Sequence, residues 1–254
     1  MYHSISLRLI QDKSSEARSE LLNQMQTLGF ALIELDDGER SEALNHGIQE
    51  AKELSGFRFP PINVETIQYS EVHRIVFKAL FYTGLECLSL LTQVDEWTKA
   101  KVECLFSESE HEPFPLTHDY HPTFFNLFNY DHGALNAHKD RGLITIIHID
   151  PAPRNLESKS SLWIEGADQK WRSGDALIDQ KIKYKPNSRY ALILIGEEGE
   201  RVFKLQGLKQ LYAADHSVRV RPDGEYIEYS HYQRDPESQS SSNRLSAALI
   251  LQKS

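Results

Sequence analysis

A chain of 254 residues, 40% hydrophobic and 26% charged, has ordinary globular composition and is long enough to bury a substantial core. Its formal net charge of −9, with Lys and Arg in no cluster or stripe, gives a field that repels a phosphate backbone, so no nucleic-acid partner is expected. No apolar segment approaches the roughly 20 residues of a membrane span and no secretory pattern opens MYHSISLRLIQDK, so the expectation is a cytoplasmic protein with no membrane partner.

Taken in chain order, Ala17, Leu21, Leu22, Met25 and Leu28 recur at helical spacing, with Ser14 or Ser15 available as cap and Gly29 as stop. FALIEL, bounded by Asp36, Asp37 and Gly38, suits a buried strand. Ser41 to Ser55 reads as a second helix, stopped by FRFPP. Thr66 to Leu91 carries Val72, Ile75, Val76, Leu80, Leu85, Leu88 and Leu91, a long helical pattern that Gly84 is expected to divide in two. Residues 1–100 are thus predicted to be mostly helical. Cys87 and Cys104 form no C-x-x-C pattern and read as buried free thiols, which removes support for a disulfide framework or a zinc knuckle.

After the Pro-punctuated HEPFPLTHDYHP the texture changes to short runs separated by turn residues: FFNLFNY, GLITIIHI, SLWI, DALI, RYALILI, QLYAADHSVRV, EYIEY and RLSAALIL. These predict strands of an all-β barrel or jelly roll rather than βαβ units. PAPRNLESKSS and RDPESQSSSN read as loops, and neither marks a domain boundary. A single domain is therefore expected over residues 1–254, with helices first and a barrel core over 120–254.

The stretch AHKDRGLIT places His138 two residues before Asp140. With 11 His and 14 Asp in the chain, roughly one H-x-D arises by chance, and there are two, the second being His148 and Asp150. On a strand, residues i and i+2 share a face, so either pair presents an imidazole and a carboxylate to one ion. His138 and Asp140 stand at the entrance to an apolar run and are followed by Gly142. His148 and Asp150 end that run before Pro151, where polar residues commonly close a strand. A third ligand is available in His216, far downstream in YAADHSVRV. Two His and one carboxylate on one face of an octahedron leave positions open for substrate and dioxygen. In NRLSAALIL, Arg244 and Ser246 share a face, and a guanidinium pointing into a barrel needs an anion, which a dicarboxylate would supply. Phe57, Phe59, Phe114, Tyr120 and His121 are pocket candidates, while His118 and His121 read as rim histidines rather than a second metal site.

Together these pieces resemble the iron(II)- and 2-oxoglutarate-dependent oxygenases of the isopenicillin N synthase-like group. The family's H-x-D-x-G-x-x-T appears as HKDRGLIT, its distal His as HSVRV and its R-x-S as RLS, in that order. FNLFNYD looks like the strand whose Tyr, here Tyr130, contacts the cosubstrate, and LLNQMQTLGFALIEL looks like the helix and strand that open the family's fold. The resemblance implies an α+β chain, a double-stranded β-helix (jelly roll) with flanking N-terminal helices. It implies Fe(II) held by His138, Asp140 and His216. It also implies a 2-oxoglutarate cosubstrate bound by Arg244, Ser246 and Tyr130, and O2 as oxidant. The interval from His216 to Arg244 is longer than in the family, so residues 221–242 read as an inserted hairpin or loop, with Arg219 and Arg221 as substitutes for Arg244; the stretch between Asp140 and His216 is also long, which is assigned to loops around Arg154 and Gly196.

The implied reaction is oxidation of a small-molecule substrate, by default hydroxylation, with release of succinate and CO2; desaturation and ring closure are the variants. Three other readings compete with this one. One is an iron oxidase of this fold that does not use 2-oxoglutarate. Another is a non-catalytic metal-binding or sensor protein. The third is a cupin-like isomerase in which His148 replaces His138. Oligomeric state is left open.

Overall fold

The computed structural model describes residues 3–53, 71–93, 124–132, 135–150, 160–220, 228–229 and 241–251. It opens with the short strand β1 (Ile5–Ser6) and the helix α1 (Leu7–Gln11). α2 (Ser15–Leu28) runs as its periodicity predicts. Ser14 caps it by accepting from the Ala17 N–H, and Gly29 ends it at φ 78°, in the left-handed region open to glycine. β2 (Phe30–Glu34) is the expected buried strand. α3 (Gly38–Glu53) starts before the expected Ser41, because the Asp37 carboxylate accepts from the Glu39 N–H and acts as cap.

α4 (Glu71–Thr92) passes through Gly84 as one unbroken helix, against the expected division. A Cβ at Gly84 would lie 2.6 Å from Ile146 Cδ1 and 2.7 Å from Leu251 Cδ1, so this glycine allows close approach to strands beneath it. Its segment Ile75–Thr92 is long and apolar enough to cross a bilayer, which the composition reading had not anticipated, and most of that surface is buried inside the fold. Cys87 lies on this helix as a buried free thiol, and Cys104 falls outside the described residues.

The strands that follow are β3 (Phe124–His132), β4 (Leu135–His138), β5 (Ile144–Ile149), β6 (Ser160–Glu165), β7 (Trp171–Ser173), β8 (Tyr190–Ile195), β9 (His216–Val220), β10 (Glu228–Tyr229) and β11 (Ser241–Leu251). Helix α5 (Gly174–Tyr184) follows β7, and α6 (Glu197–Leu205) follows β8. Among the described residues they build a six-stranded sheet in the order β1-β2-β8-β5-β11-β3 and a five-stranded sheet in the order β10-β7-β6-β9-β4. Apart from the parallel β1–β2 pair, neighbouring strands run antiparallel.

The six-stranded sheet is covered on both faces, which is why its strands read as continuous apolar runs rather than alternating ones. In β8, Tyr190, Leu192 and Leu194 join Leu162, Ile164 and Val218 of the other sheet in one core. Ala191, Ile193 and Ile195 face the opposite way, into a core with Leu21, Leu80 and Leu88 of the helices. β5 divides likewise, with Ile147 and Ile149 between the sheets and Ile144 and Ile146 under the helices.

Three sequence expectations change here. DALI, expected as a strand, lies in the first turn of α5: Ser173 caps that helix by accepting from the Ala176 N–H, and the Asp175 carboxylate accepts from the Leu162 N–H of β6. In QLYAADHSVRV only His216–Val220 is strand. The segment around Gly196, expected as loop, starts α6, with Glu197, Glu198 and Glu200 in its first turn. FRFPP, HEPFPLTHDYHP and residues 151–159 fall outside the described residues.

Candidate metal centre

β4 and β9 are neighbours in the five-stranded sheet, and their register sets His138 directly opposite His216. The two rings lie 4.4 Å apart between centroids and are tilted by 51°. Cross-strand pairing thus joins side chains from distant points in the chain. Asp140 completes the group from the loop between β4 and β5. Its Oδ1 lies 3.7 Å from His138 Nε2 and its Oδ2 lies 3.4 Å from His216 Nε2. One ligand atom from each residue falls within 4.8 Å of the others. The geometry corrects the expectation that His138 and Asp140 share the face of one strand: His138 ends β4, and Asp140 reaches it from the loop.

Both histidines are turned by the same local device. His138 Nδ1 lies 2.7 Å from the Asn136 carbonyl oxygen, and His216 Nδ1 lies 3.4 Å from that of Ala214. A carbonyl oxygen only accepts, so each Nδ1 is the donor of its pair, and that bond turns each Nε2 toward the Asp140 carboxylate. Burial holds the His216 imidazole below its ordinary range, against the pull of Asp140 and with help from His138. Two imidazole nitrogens and a carboxylate therefore converge. A divalent cation fits that donor set, and two His with one carboxylate is the pattern of non-haem iron(II) sites with open positions. The His138 side chain is 37% exposed against 6% for His216, so the cluster opens on the His138 side.

The loop that carries Asp140 is held on several sides. Thr145 Oγ1, on β5, donates to Asp140 Oδ2 at 2.5 Å. The start of α6 grips the loop backbone: the N–H groups of Glu197, Gly199 and Gly196 donate to the carbonyls of Asp140, Gly142 and Leu143 at 2.8, 3.2 and 3.1 Å. The Leu143 N–H donates to Leu251 O at 2.6 Å. A Cβ at Gly196 would collide with the Gly142 carbonyl, and one at Gly199 with that of Leu143. The sequence reading missed this clamp; its legible signal was a glycine followed by acidic residues, which marks a helix start.

Of the other expected site residues, Ser246 is buried on β11, opposite Phe128 of β3 and Ile149 of β5. Arg244 pairs across the ladder with Tyr130, and its strand position shares a row with Ser246 and Ala248; the side chains of Arg244 and Tyr130 are not among the described residues. Arg219 belongs to β9 without a described side chain, and Arg221 lies outside the described residues. So do Phe57, Phe59, Phe114, His118, Tyr120 and His121. His148 is on the helix-facing row of β5, buried, with Nδ1 2.8 Å from Tyr190 O. His216 shares its row with Val218, which packs between the sheets, so His148 does not meet it.

No protein-family model and no curated protein matches the chain. Solved structures do resemble it. A candidate oxygenase from Shewanella oneidensis superposes with a TM-score of 0.56 at 14% identity, over 98% of this chain and 90% of that one. A full-length Neurospora crassa protein in complex with alpha-KG and 5-formyluracil gives 0.55 at 12% identity, over 98% of this chain and 83% of that one. The dioxygenase for auxin oxidation 1 of Arabidopsis thaliana, in its 2-oxoglutarate complex, gives 0.50 at 14% identity, over 100% and 93%. The chain shares the fold of these structures, two of which carry alpha-KG or 2-oxoglutarate.

Proposed function

We propose that this chain is an iron(II)- and 2-oxoglutarate-dependent oxygenase that hydroxylates a small molecule in the cytoplasm, working as a single domain over residues 1–254. The observation that carries the proposal is the convergence of His138 Nε2, His216 Nε2 and the Asp140 carboxylate within 4.8 Å, on a fold shared with oxygenases. The sheet order supports a double-stranded β-helix, since β3, β5, β8 and β11 share one sheet while β4, β6, β7 and β9 share the other.

In this reading His138, Asp140 and His216 would hold iron(II) through two imidazole nitrogens and one carboxylate. Iron(II), when bound, supplies the activation of dioxygen that side chains alone do not perform. Arg244 receives the far carboxylate of 2-oxoglutarate through its planar fork, with hydroxyl donors from Ser246 and Tyr130. The balance is one C–H bond, 2-oxoglutarate and O2 giving one C–OH bond, succinate and CO2.

Anaerobic addition of iron(II) and 2-oxoglutarate to the metal-free protein tests this. The expected outcome is a weak visible charge-transfer band of the chelate, absent in His138→Ala and weakened in Arg244→Ala. Tight iron binding with no band under 2-oxoglutarate would sink the cosubstrate assignment and favour an oxidase of the same fold or a non-catalytic metal protein.

A further inference from the structure

We infer that Thr145 is a positioning residue, whose hydroxyl holds one oxygen of Asp140 so that the carboxylate presents the other to the metal in a fixed direction. The inference rests on the reading of His138, Asp140 and His216 as metal ligands. Thr145 is 1% exposed and stands on the β5 row that continues through Ile147 and Ile149 into the core between the sheets. A hydroxyl buried in such a row costs free energy unless it is bonded, and Val would fill the same space with no polar atom. Its partner is Asp140 Oδ2, at 2.5 Å, a short bond of the charge-assisted kind.

The geometry explains why the carboxylate needs this partner. The terminal torsion of Asp is broad and nearly two-fold, so backbone placement alone does not decide which oxygen faces the imidazoles. The backbone of the loop is set by the Glu197 N–H on Asp140 O and the Leu143 N–H on Leu251 O. Those bonds fix where the side chain starts; Thr145 fixes where it ends. Donation to Oδ2 leaves Oδ1, 3.7 Å from His138 Nε2 on the exposed side of the cluster, with no hydrogen-bond donor of its own among the described residues and the better placed to ligate. Partners of metal-binding carboxylates act on affinity through this kind of orientation.

The test titrates cobalt(II), as a coloured stand-in for iron(II), into metal-free wild type, Thr145→Val, Thr145→Ser and His216→Ala, with thermal unfolding of each metal-free protein alongside. Thr145→Val is expected to bind roughly 10- to 100-fold more weakly with an altered visible spectrum, while Thr145→Ser stays within about threefold of wild type. The metal-free Val variant is expected to unfold no earlier than wild type, which separates orientation of the ligand from general stability. Cobalt affinity and spectrum unchanged in Thr145→Val, or lost equally in Thr145→Ser, would overturn the inference while leaving the metal site intact. Wild type that binds no better than His216→Ala would overturn the metal reading itself, and the inference with it. Thr145→Ala, which removes the hydroxyl without crowding the core, carries the same comparison if the Val variant does not fold.

Discussion

At the scale of single residues, His138, His148 and His216 show how similar local chemistry takes different parts. Each sets its Nδ1 against a backbone carbonyl. Only His138 and His216 bring Nε2 to a shared carboxylate, because only they sit on strands whose register opposes them. His148 faces the helices, and burial holds it below its ordinary 6.5, with Tyr190 O and Asp150 pulling upward and Arg189 downward. The unfolded chain therefore binds this proton at higher pH than the folded chain does. The His148 share of stability is fully present above about pH 6.5 and is lost as pH falls below it toward the depressed folded value. Asn donates to Tyr190 O without titrating. His148→Asn is accordingly expected to flatten the decline in denaturant-measured stability between about pH 7.5 and about pH 5.5, with metal affinity unchanged. An undiminished slope would place the acid sensitivity in other groups, and a lost metal site would return His148 to the ligand set.

At the scale of elements, glycines are where sequence reading and structure part most clearly. Gly84 looks like a helix breaker, yet it lies where α4 crosses Ile146 and Leu251 too closely for a side chain. Periodicity describes one helix at a time and does not reveal what it packs on. Gly196 looks like loop punctuation, and it is the point where α6 meets the Asp140–Leu143 backbone. Gly196→Ala is expected to cost about 1–3 kcal/mol through overpacking against backbone that cannot rotate away, and to weaken metal binding because the loop carrying Asp140 must move. Gly38→Ala is the control, since nothing lies within 4 Å of the added Cβ, and it is expected to stay within about 0.5 kcal/mol of wild type. Denaturant unfolding and a metal titration on the pair check both halves. Equal stability of the two variants would show that the close approach at Gly196 is easily relieved.

At the scale of the whole molecule, a metal held at the proposed site would be linked to folding. His138 belongs to the edge strand β4, His216 to β9 beside it, and Asp140 to the loop leading into the other sheet. An ion bound to all three ties the two sheets together and binds the folded chain far better than the unfolded one. At 100 times its Kd such an ion contributes about 2.7 kcal/mol, a rise in Tm of about 5–10 °C for a chain of this size. Scanning calorimetry with and without iron(II) under anaerobic conditions, followed by a chelator, checks this. The rise is expected in wild type, to be reversed by the chelator and absent in Asp140→Asn; a rise that survives in Asp140→Asn would point to binding elsewhere on the acidic surface.

The elements whose signals are local were legible in the amino-acid order. The cap at Ser14 and stop at Gly29 bound α2, and the apolar runs mark β2, β5, β8 and β11. The same order also supplied the ligand candidates His138, Asp140 and His216, because ligand chemistry is carried by residue type. That His138 and Asp140 come from a strand end and a loop, that DALI lies in a helix, and that His148 faces away emerge from the packing of the folded chain. Each of those outcomes depends on strand register, on a cap donated across elements, or on which face another layer covers. Such contacts join positions far apart in the chain, and neither spacing nor periodicity encodes them.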